Sequence, residues 1–208
     1  MICFDLGGVL VRICRSWPEG CREAGIPNRA HQPGPDHDVR KTELITRYQT
    51  GRVDCKGFFR ELSELFDGVW SPQEIAKVHH AWIIEPYAGT AALISEIQAA
   101  GIRTACLSNT SHSHWGPLLE DPAIASLDVH HASHLLGLHK PEAAIYRAFE
   151  DAVGLSGKEI VFFDDLKDNI TAARAADWDA IQIDHASETA PQIRSALEQR
   201  GVLSTEAI

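Results

Sequence analysis

The sequence predicts an α/β protein: a doubly wound, Rossmann-like parallel sheet with an all-helical unit inserted after the first strand. Three observations predict it. Short apolar runs alternate with helix-length amphipathic stretches, the pattern of βαβ units around a parallel sheet. That rhythm breaks between about Arg15 and Glu85, where helical periodicity continues without a convincing strand. The carboxylate-bearing motifs then fall at predicted strand ends, where an open parallel sheet gathers its ligands in one crevice.

Strands are expected near residues 2–5, 102–107, 127–131, 159–163 and 179–183. The run Ile160-Val161-Phe162-Phe163 is apolar without alternation, as a strand buried on both faces requires. Between strands, Gly89 to Ala100 places Ala92, Leu93, Ile94 and Ile97 at helical spacing, Glu142 to Val153 does the same with Ile145, Tyr146 and Phe149, and Asn169 to Ala176 reads as a third helix. Gly101 and Gly154 act as helix stop signals. The insertion carries helical segments near 16–25, 38–50, 54–66 and 72–84, interrupted by the turn-rich stretch from Pro27 to His37. Trp17, Trp70 and Trp82 are expected in its core. The expected domains are therefore an α/β core of residues 1–14 and 86–208, and a helical cap of residues 15–85. No internal repeat or low-complexity tract interrupts this organisation.

A chain of 208 residues can bury one sizeable core plus a smaller unit. Its formal net charge of −10, with no Lys/Arg stripe, argues against nucleic acid as a partner. A small anionic substrate is still allowed, because screening over roughly 8 Å makes the local site matter more than the global sum. Five cysteines without a C-x-x-C pair form no disulfide framework, which points to a reducing, cytoplasmic location. The apolar runs are too short for a membrane span, and Asp5 lies too close to Met1 for a secretory signal. A monomer or small homo-oligomer is expected.

Four motifs carry the chemistry. Phe4-Asp5-Leu6-Gly7-Gly8-Val9-Leu10 places one carboxylate at the mouth of a glycine-relaxed turn after the first strand, the position of a nucleophile. Leu107-Ser108-Asn109-Thr110 follows, then Lys140-Pro141, then Val161-Phe162-Phe163-Asp164-Asp165-Leu166-Lys167-Asp168-Asn169. In this order and spacing, and with Gly137-Leu138-His139-Lys140-Pro141-Glu142 around the lysine, they resemble the haloacid dehalogenase-like hydrolases, in the branch with a small helical cap. The resemblance covers essentially the whole chain. It is closest in flavour to sugar-1-phosphate phosphatases and to the amino-terminal phosphatase domain of soluble epoxide hydrolases.

The resemblance implies a Mg²⁺-dependent phosphatase acting on a small phosphorylated metabolite, with a sugar phosphate among the candidates. A phosphate dianion repels nucleophiles, so such a site must neutralise charge while holding an oxygen in line with the leaving group. Asp5 would attack phosphorus to give an aspartyl-phosphate that water hydrolyses. Lys140 would be a point charge between Asp5 and the phosphate, and Ser108 with the Asn109 backbone N–H would donate to phosphoryl oxygens. Mg²⁺ would be held by Asp5, the Gly7 carbonyl and Asp165, with Asp164 as a further ligand or an acceptor behind it. Asn169 would orient that cluster, while Asp168 is expected to face solvent.

Other residues are read more plainly. Thr110 is either a phosphate donor or a helix N-cap, and Pro141 is expected to open the next helix. The eleven histidines show no H-x-x-x-H pair with a carboxylate at metal-ligand spacing and are expected on surfaces and loops, with His114-Trp115 candidates for the pocket border. Arg12, Arg15 and Trp17 enter the insertion beside Asp5. One departure matters: most phosphatases of this kind carry a second aspartate where this chain has Gly7, expected at positive φ. Losing that acid–base group removes a contribution of ~10²–10⁴-fold. Two other readings therefore stay open, a metal-free 2-haloacid dehalogenase and a non-catalytic phosphate-binding or signalling protein.

Overall fold

The computed structural model describes residues 1–204. Five parallel strands form the central sheet: β1 (Ile2–Phe4), β4 (Thr104–Ser108), β5 (Val129–Ala132), β6 (Val161–Asp164) and β7 (Asp179–Gln182), in the order β5-β4-β1-β6-β7. Each lies within about two residues of its expected place. Two short antiparallel strands, β2 (Val11–Ile13) and β3 (Ile83–Pro86), pair outside this sheet.

Period-two alternation sends the side chains of each strand to opposite faces. Phe4, Cys106 and Phe163 point into a cluster closed by Ile94 and Ile97 of helix α5 (Thr90–Ala99) and by Ile193 and Leu197 of α11 (Thr189–Gln199). Cys3, Leu107 and Phe162 point the other way, onto Ile145, Tyr146 and Phe149 of α9 (Ala143–Val153) and Ile170 of α10 (Lys167–Ala175). Trp178 fills this second face edge-on to Tyr146 and Phe162. Both faces of the sheet are covered, as a parallel sheet demands. Gly154 ends α9 in the left-handed conformation and Gly101 follows the end of α5, matching the expected stops. The remaining short helices α6 (His112–Glu120), α7 (Pro122–Ala125) and α8 (Ser133–Leu136) lie around β4 and β5.

Between β2 and β3 lie α1 (Trp17–Glu23), α2 (His37–Gln49), α3 (Cys55–Leu65) and α4 (Pro72–His80). Their ends follow the sequence. Ser16 and Asp54 accept hydrogen bonds from the N–H groups of Glu19 and Gly57, and Ser71 forms a reciprocal capping box with Glu74. These helices own a separate hydrophobic cluster centred on Tyr48, Phe58, Leu62, Trp70 and Ile75, with Trp17 and Trp82 packed against it.

One expectation fails here. The helix expected to run to residue 84 stops at His80, and Ile83–Pro86 is a strand in a stretch expected to have none. Local periodicity cannot see the reason, which is pairing with Val11–Ile13, some seventy residues earlier. This hairpin forms the stem through which the chain leaves and rejoins the sheet. The five cysteines are free, four of them buried, and among the described residues no helix is long and apolar enough to cross a membrane.

Phe149 of α9 is fully buried against the sheet. Phe149→Ala is expected to cost about 3–5 kcal/mol in urea unfolding, whereas Leu135→Ala, at a side chain 65% exposed, should stay within about 0.5 kcal/mol. Equal effects at the two positions would show that this face is not the core.

Candidate active site

The strand order sets the location. The chain runs outward from β1 through β4 to β5 and returns to β6 and β7 on the other side of β1, so the crevice opens at the carboxyl end of β1. Asp5 follows β1 there, Ser108 ends β4 and Asp164 ends β6. After Asp5 the chain turns at once: the Leu6 carbonyl accepts from the N–H groups of Leu10 and Val11, both at 2.9 Å, and Gly8 adopts φ 85°. Gly8 is therefore the residue that needs left-handed freedom. Gly7, expected to need it, does not; a side chain there would instead meet Ile13, whose Cδ1 lies 3.0 Å from an ideal Cβ.

Lys140 brings the strand ends together. Its ammonium lies 2.7 Å from Asp164 Oδ2 and 3.2 Å from Asp5 Oδ1, in a side chain that is only 1% exposed as a residue. Nζ also stands 5.3 Å from the Phe162 ring centre, a cation–π contact. Asp164 is fully engaged: Asn169 Nδ2 donates to both of its oxygens, at 3.0 and 2.9 Å, and the Leu166 N–H donates to Oδ1 at 2.8 Å. Asp165 completes a trio in which one carboxylate oxygen each from Asp5, Asp164 and Asp165 lie within 4.8 Å of one another. Burial first, then the two facing carboxylates, push Asp5 up to about 7 against the pull of Lys140. For Lys140, burial disfavours the charge, yet Asp164 and Asp5 together outweigh it and raise the ammonium above its ordinary range.

The loop bearing Lys140 is clamped by Asn109. The Lys140 N–H donates to Asn109 Oδ1 at 2.9 Å, and Asn109 Nδ2 donates to the Lys140 carbonyl at 2.8 Å. Pro141 precedes α9 by two residues instead of opening it, so the amide clamp, rather than a helix start, fixes the lysine. Thr110 is no N-cap: Ser111 holds that position, and Thr110 is instead buried against Ser133, whose hydroxyl accepts from its N–H and donates to its carbonyl. Asp168 is exposed at the rim, as expected. Arg15 takes a place the sequence did not announce, with Nη1 2.7 Å from Asp165 Oδ2.

The inserted helices close over this cluster. Gln49 at the end of α2 reaches His139 at 2.9 Å and the Asn109 carbonyl at 3.4 Å. Tyr48 meets Ser113 at 2.7 Å, His79 of α4 meets the same hydroxyl at 3.0 Å, and the His114 ring stacks on His79 at 3.9 Å. His79 and His139 are thus half-buried contacts between the two parts of the chain, contrary to their expected surface placement, and His114, a candidate for the pocket border, joins them. Of the His114-Trp115 pair only His114 lines a chamber, Trp115 packing on the sheet-side core. Gln49 left no signal in the sequence; the Ser111-His112-Ser113-His114 run directly after Thr110 was the visible hint. Two connected chambers result, one of about 470 Å³ holding Asp5, Lys140 and Asp165, and one of about 320 Å³ beneath the inserted helices.

The family model of the haloacid dehalogenase-like hydrolases matches residues 1–177. The chain belongs to that family. It is 27% identical over 142 residues to a phosphatase of Mycobacterium tuberculosis, across 67% of this chain and 65% of that protein, so it spans about two thirds of that curated relative. A HAD family enzyme of Bacteroides thetaiotaomicron superposes with TM-score 0.76 at 18% identity, over 93% of this chain and 97% of that one. The same enzyme, solved with magnesium and inorganic phosphate, gives 0.71 at 18% identity over 89% and 94%. An L-2-haloacid dehalogenase gives 0.63 at 18% identity over 91% and 86%. Likeness at these identities establishes the fold and leaves the chemistry to the site.

The half-buried histidines generate a pH dependence. Burial holds His79 well below 6.5 and lowers His114, His131, His134 and His139 as well. The unfolded chain then takes up protons near 6.5 while the folded chain does not, so this stability is complete above that pH and falls as the pH drops below it. Asp5, pushed up to about 7, binds a proton on folding in the same window and works the other way. The melting temperature should therefore decline between pH 7 and 5.5 by the excess of the five histidines over this one carboxylate, and His79→Gln should flatten the decline. A His79→Gln protein with the same pH slope as the wild type would contradict the assignment.

Proposed function

We propose that this chain is a Mg²⁺-dependent phosphomonoesterase that passes the phosphoryl group of a small metabolite to Asp5 and then to water. The observation that carries the reading is the Lys140 ammonium between Asp5 and Asp164, with Asp165 in reach. In this reading residues 15–85 are a cap on a core of residues 1–14 and 86–208. Asp5 attacks phosphorus, Lys140 neutralises charge on the transferring group, and Ser108 and the Asn109 N–H donate to its oxygens. Asn109 and Asn169 act behind them, one holding the backbone of Lys140 and the other the carboxylate of Asp164. Gln49 and Tyr48 keep water out. The free, mostly buried cysteines suit a cytoplasmic protein.

The donor set fits magnesium: clustered carboxylates are hard oxygen ligands, and they are too close together to share one ammonium comfortably. Asp5, Asp165 and the Gly7 carbonyl would hold the ion, with Asp164 behind. When bound it supplies neutralisation of phosphoryl charge. Arg15 engages one oxygen of Asp165, and a carboxylate has a second for a cation. Arg15 is also the observation on the side of a metal-free dehalogenase, since it gives Asp165 a partner without an ion. The third carboxylate and the phosphatase relative weigh against that reading.

Asp5→Asn should lower turnover of an aryl phosphate by roughly 10³-fold or more with the fold intact. Activity should vanish in EDTA and return with Mg²⁺, and Asp165→Asn should raise the Mg²⁺ requirement more than Asp168→Asn. Full phosphatase activity in EDTA would overturn the Mg²⁺ requirement, and halide release from a 2-haloacid in EDTA with no phosphatase activity would favour the dehalogenase.

Without an acid at Gly7, leaving groups must depart with little protonation, so aryl phosphates should outrun alkyl phosphates steeply. Gly7→Asp should help alkyl substrates by up to ~10²-fold, provided Ile13 yields; combining it with Ile13→Val gives the new side chain room. A stably folded double variant with no gain that depends on the leaving group would show that protonation is not limiting.

A further inference from the structure

The smaller chamber bears on what the phosphate is attached to, an inference that rests on the phosphatase reading. It joins the charged chamber along Gly7, Ile13, Ile45 and Ser108, which line both. A group esterified to a phosphate at Asp5 and Lys140 therefore has a path into it. Its walls come from Trp17, Phe58, Phe66 and Trp82 of the insertion and Leu118 of α6. Among the described residues no aspartate or glutamate lines it. Of its polar groups, Tyr48, His79 and Ser111 are engaged around the Ser113 hydroxyl, and Arg15, Gln49 and Asn109 are engaged with Asp165, His139 and the Lys140 backbone, while Lys41 adds a cation to the wall.

We propose that the substrate is the phosphate monoester of an aromatic or comparably apolar alcohol, with its body held among Trp17, Phe58, Phe66 and Trp82. The alternative raised by the sequence, a sugar phosphate, carries several hydroxyls that each need a partner once water is excluded. Carboxylates would supply such partners, and this wall has none to offer. A cavity of about 320 Å³ suits a compact one- or two-ring body, at the small end of ligand sites. The aromatic walls gain most from burying a flat apolar group.

The test uses substrates with matched leaving groups, so that the chamber is read rather than alkoxide stability. 2-Phenylethyl phosphate and 2-(indol-3-yl)ethyl phosphate are compared with glycerol 3-phosphate and glucose 6-phosphate, all primary alkyl esters. Acetyl phosphate, which has almost no body, reports phosphoryl transfer itself. The aromatic esters should lead in kcat/KM by about 10²-fold. Ile45→Thr, which puts a hydroxyl into the shared wall and is compared with Ile45→Val as the apolar variant of the same shape, should shrink that ratio by about tenfold relative to Ile45→Val; the wild-type comparison stands whether or not the variants fold. Equal or better turnover of the hydroxylated esters, or hydrolysis of acetyl phosphate with none of the four alkyl esters turned over, overturns the substrate class and leaves the phosphatase reading intact. Hydrolysis of none of them, acetyl phosphate included, overturns the phosphatase reading itself and the substrate class with it.

Discussion

A single ammonium, that of Lys140, buried between two carboxylates is the constraint on which the rest of the structure depends. Removing a charge from water is expensive, and a buried pair holds only when its geometry and remaining hydrogen bonds are complete. Here they are completed from three directions. The sheet delivers Asp5 and Asp164 at neighbouring strand ends, Asn169 and the Leu166 N–H fasten Asp164, and Asn109 fixes the lysine backbone from the end of β4. Each support is a fixed element of the fold, so the charges are oriented before any ligand arrives. Such preorganisation is how electrostatic sites lower barriers.

The cluster is unbalanced by design of its residues. Three carboxylates face Lys140 and the partly exposed Arg15, and the burden falls on Asp5, whose proton affinity rises. A site short of positive charge attracts a cation and tolerates an anionic substrate only with one. The closed position of the inserted helices follows the same logic, since Gln49 reaches the very Asn109–His139 pair that positions the lysine. Contact between the two parts of the chain is thereby tied to the loop that carries the charge.

Much of this was legible in the sequence because it depends on local order. Apolar runs gave the five core strands to within about two residues, and glycine stops gave the helix ends. Asp5, Ser108, Lys140, Asp164 and Asp165 could be gathered because strand ends in a parallel sheet meet. What was hidden depends on long-range pairing. Strand β3 exists because Ile83–Pro86 finds Val11–Ile13, and its residues continue a helical pattern when read alone. Arg15 reaches Asp165 across 150 residues, and Gln49 reaches His139 across 90, so neither pairing leaves a periodic trace. The histidines misled for the opposite reason: their composition looks like surface, while the closed helices bury them against Ser111, Ser113 and one another.

The central claim is that Asp5 carries the phosphoryl group between substrate and water. Acid quenching during turnover of an aryl phosphate, followed by borohydride reduction and peptide mass spectrometry, addresses it directly. An acyl phosphate at residue 5 is reduced to homoserine, and the account predicts homoserine at that position and at no other aspartate. Steady phosphate release with Asp5 recovered unmodified would contradict it.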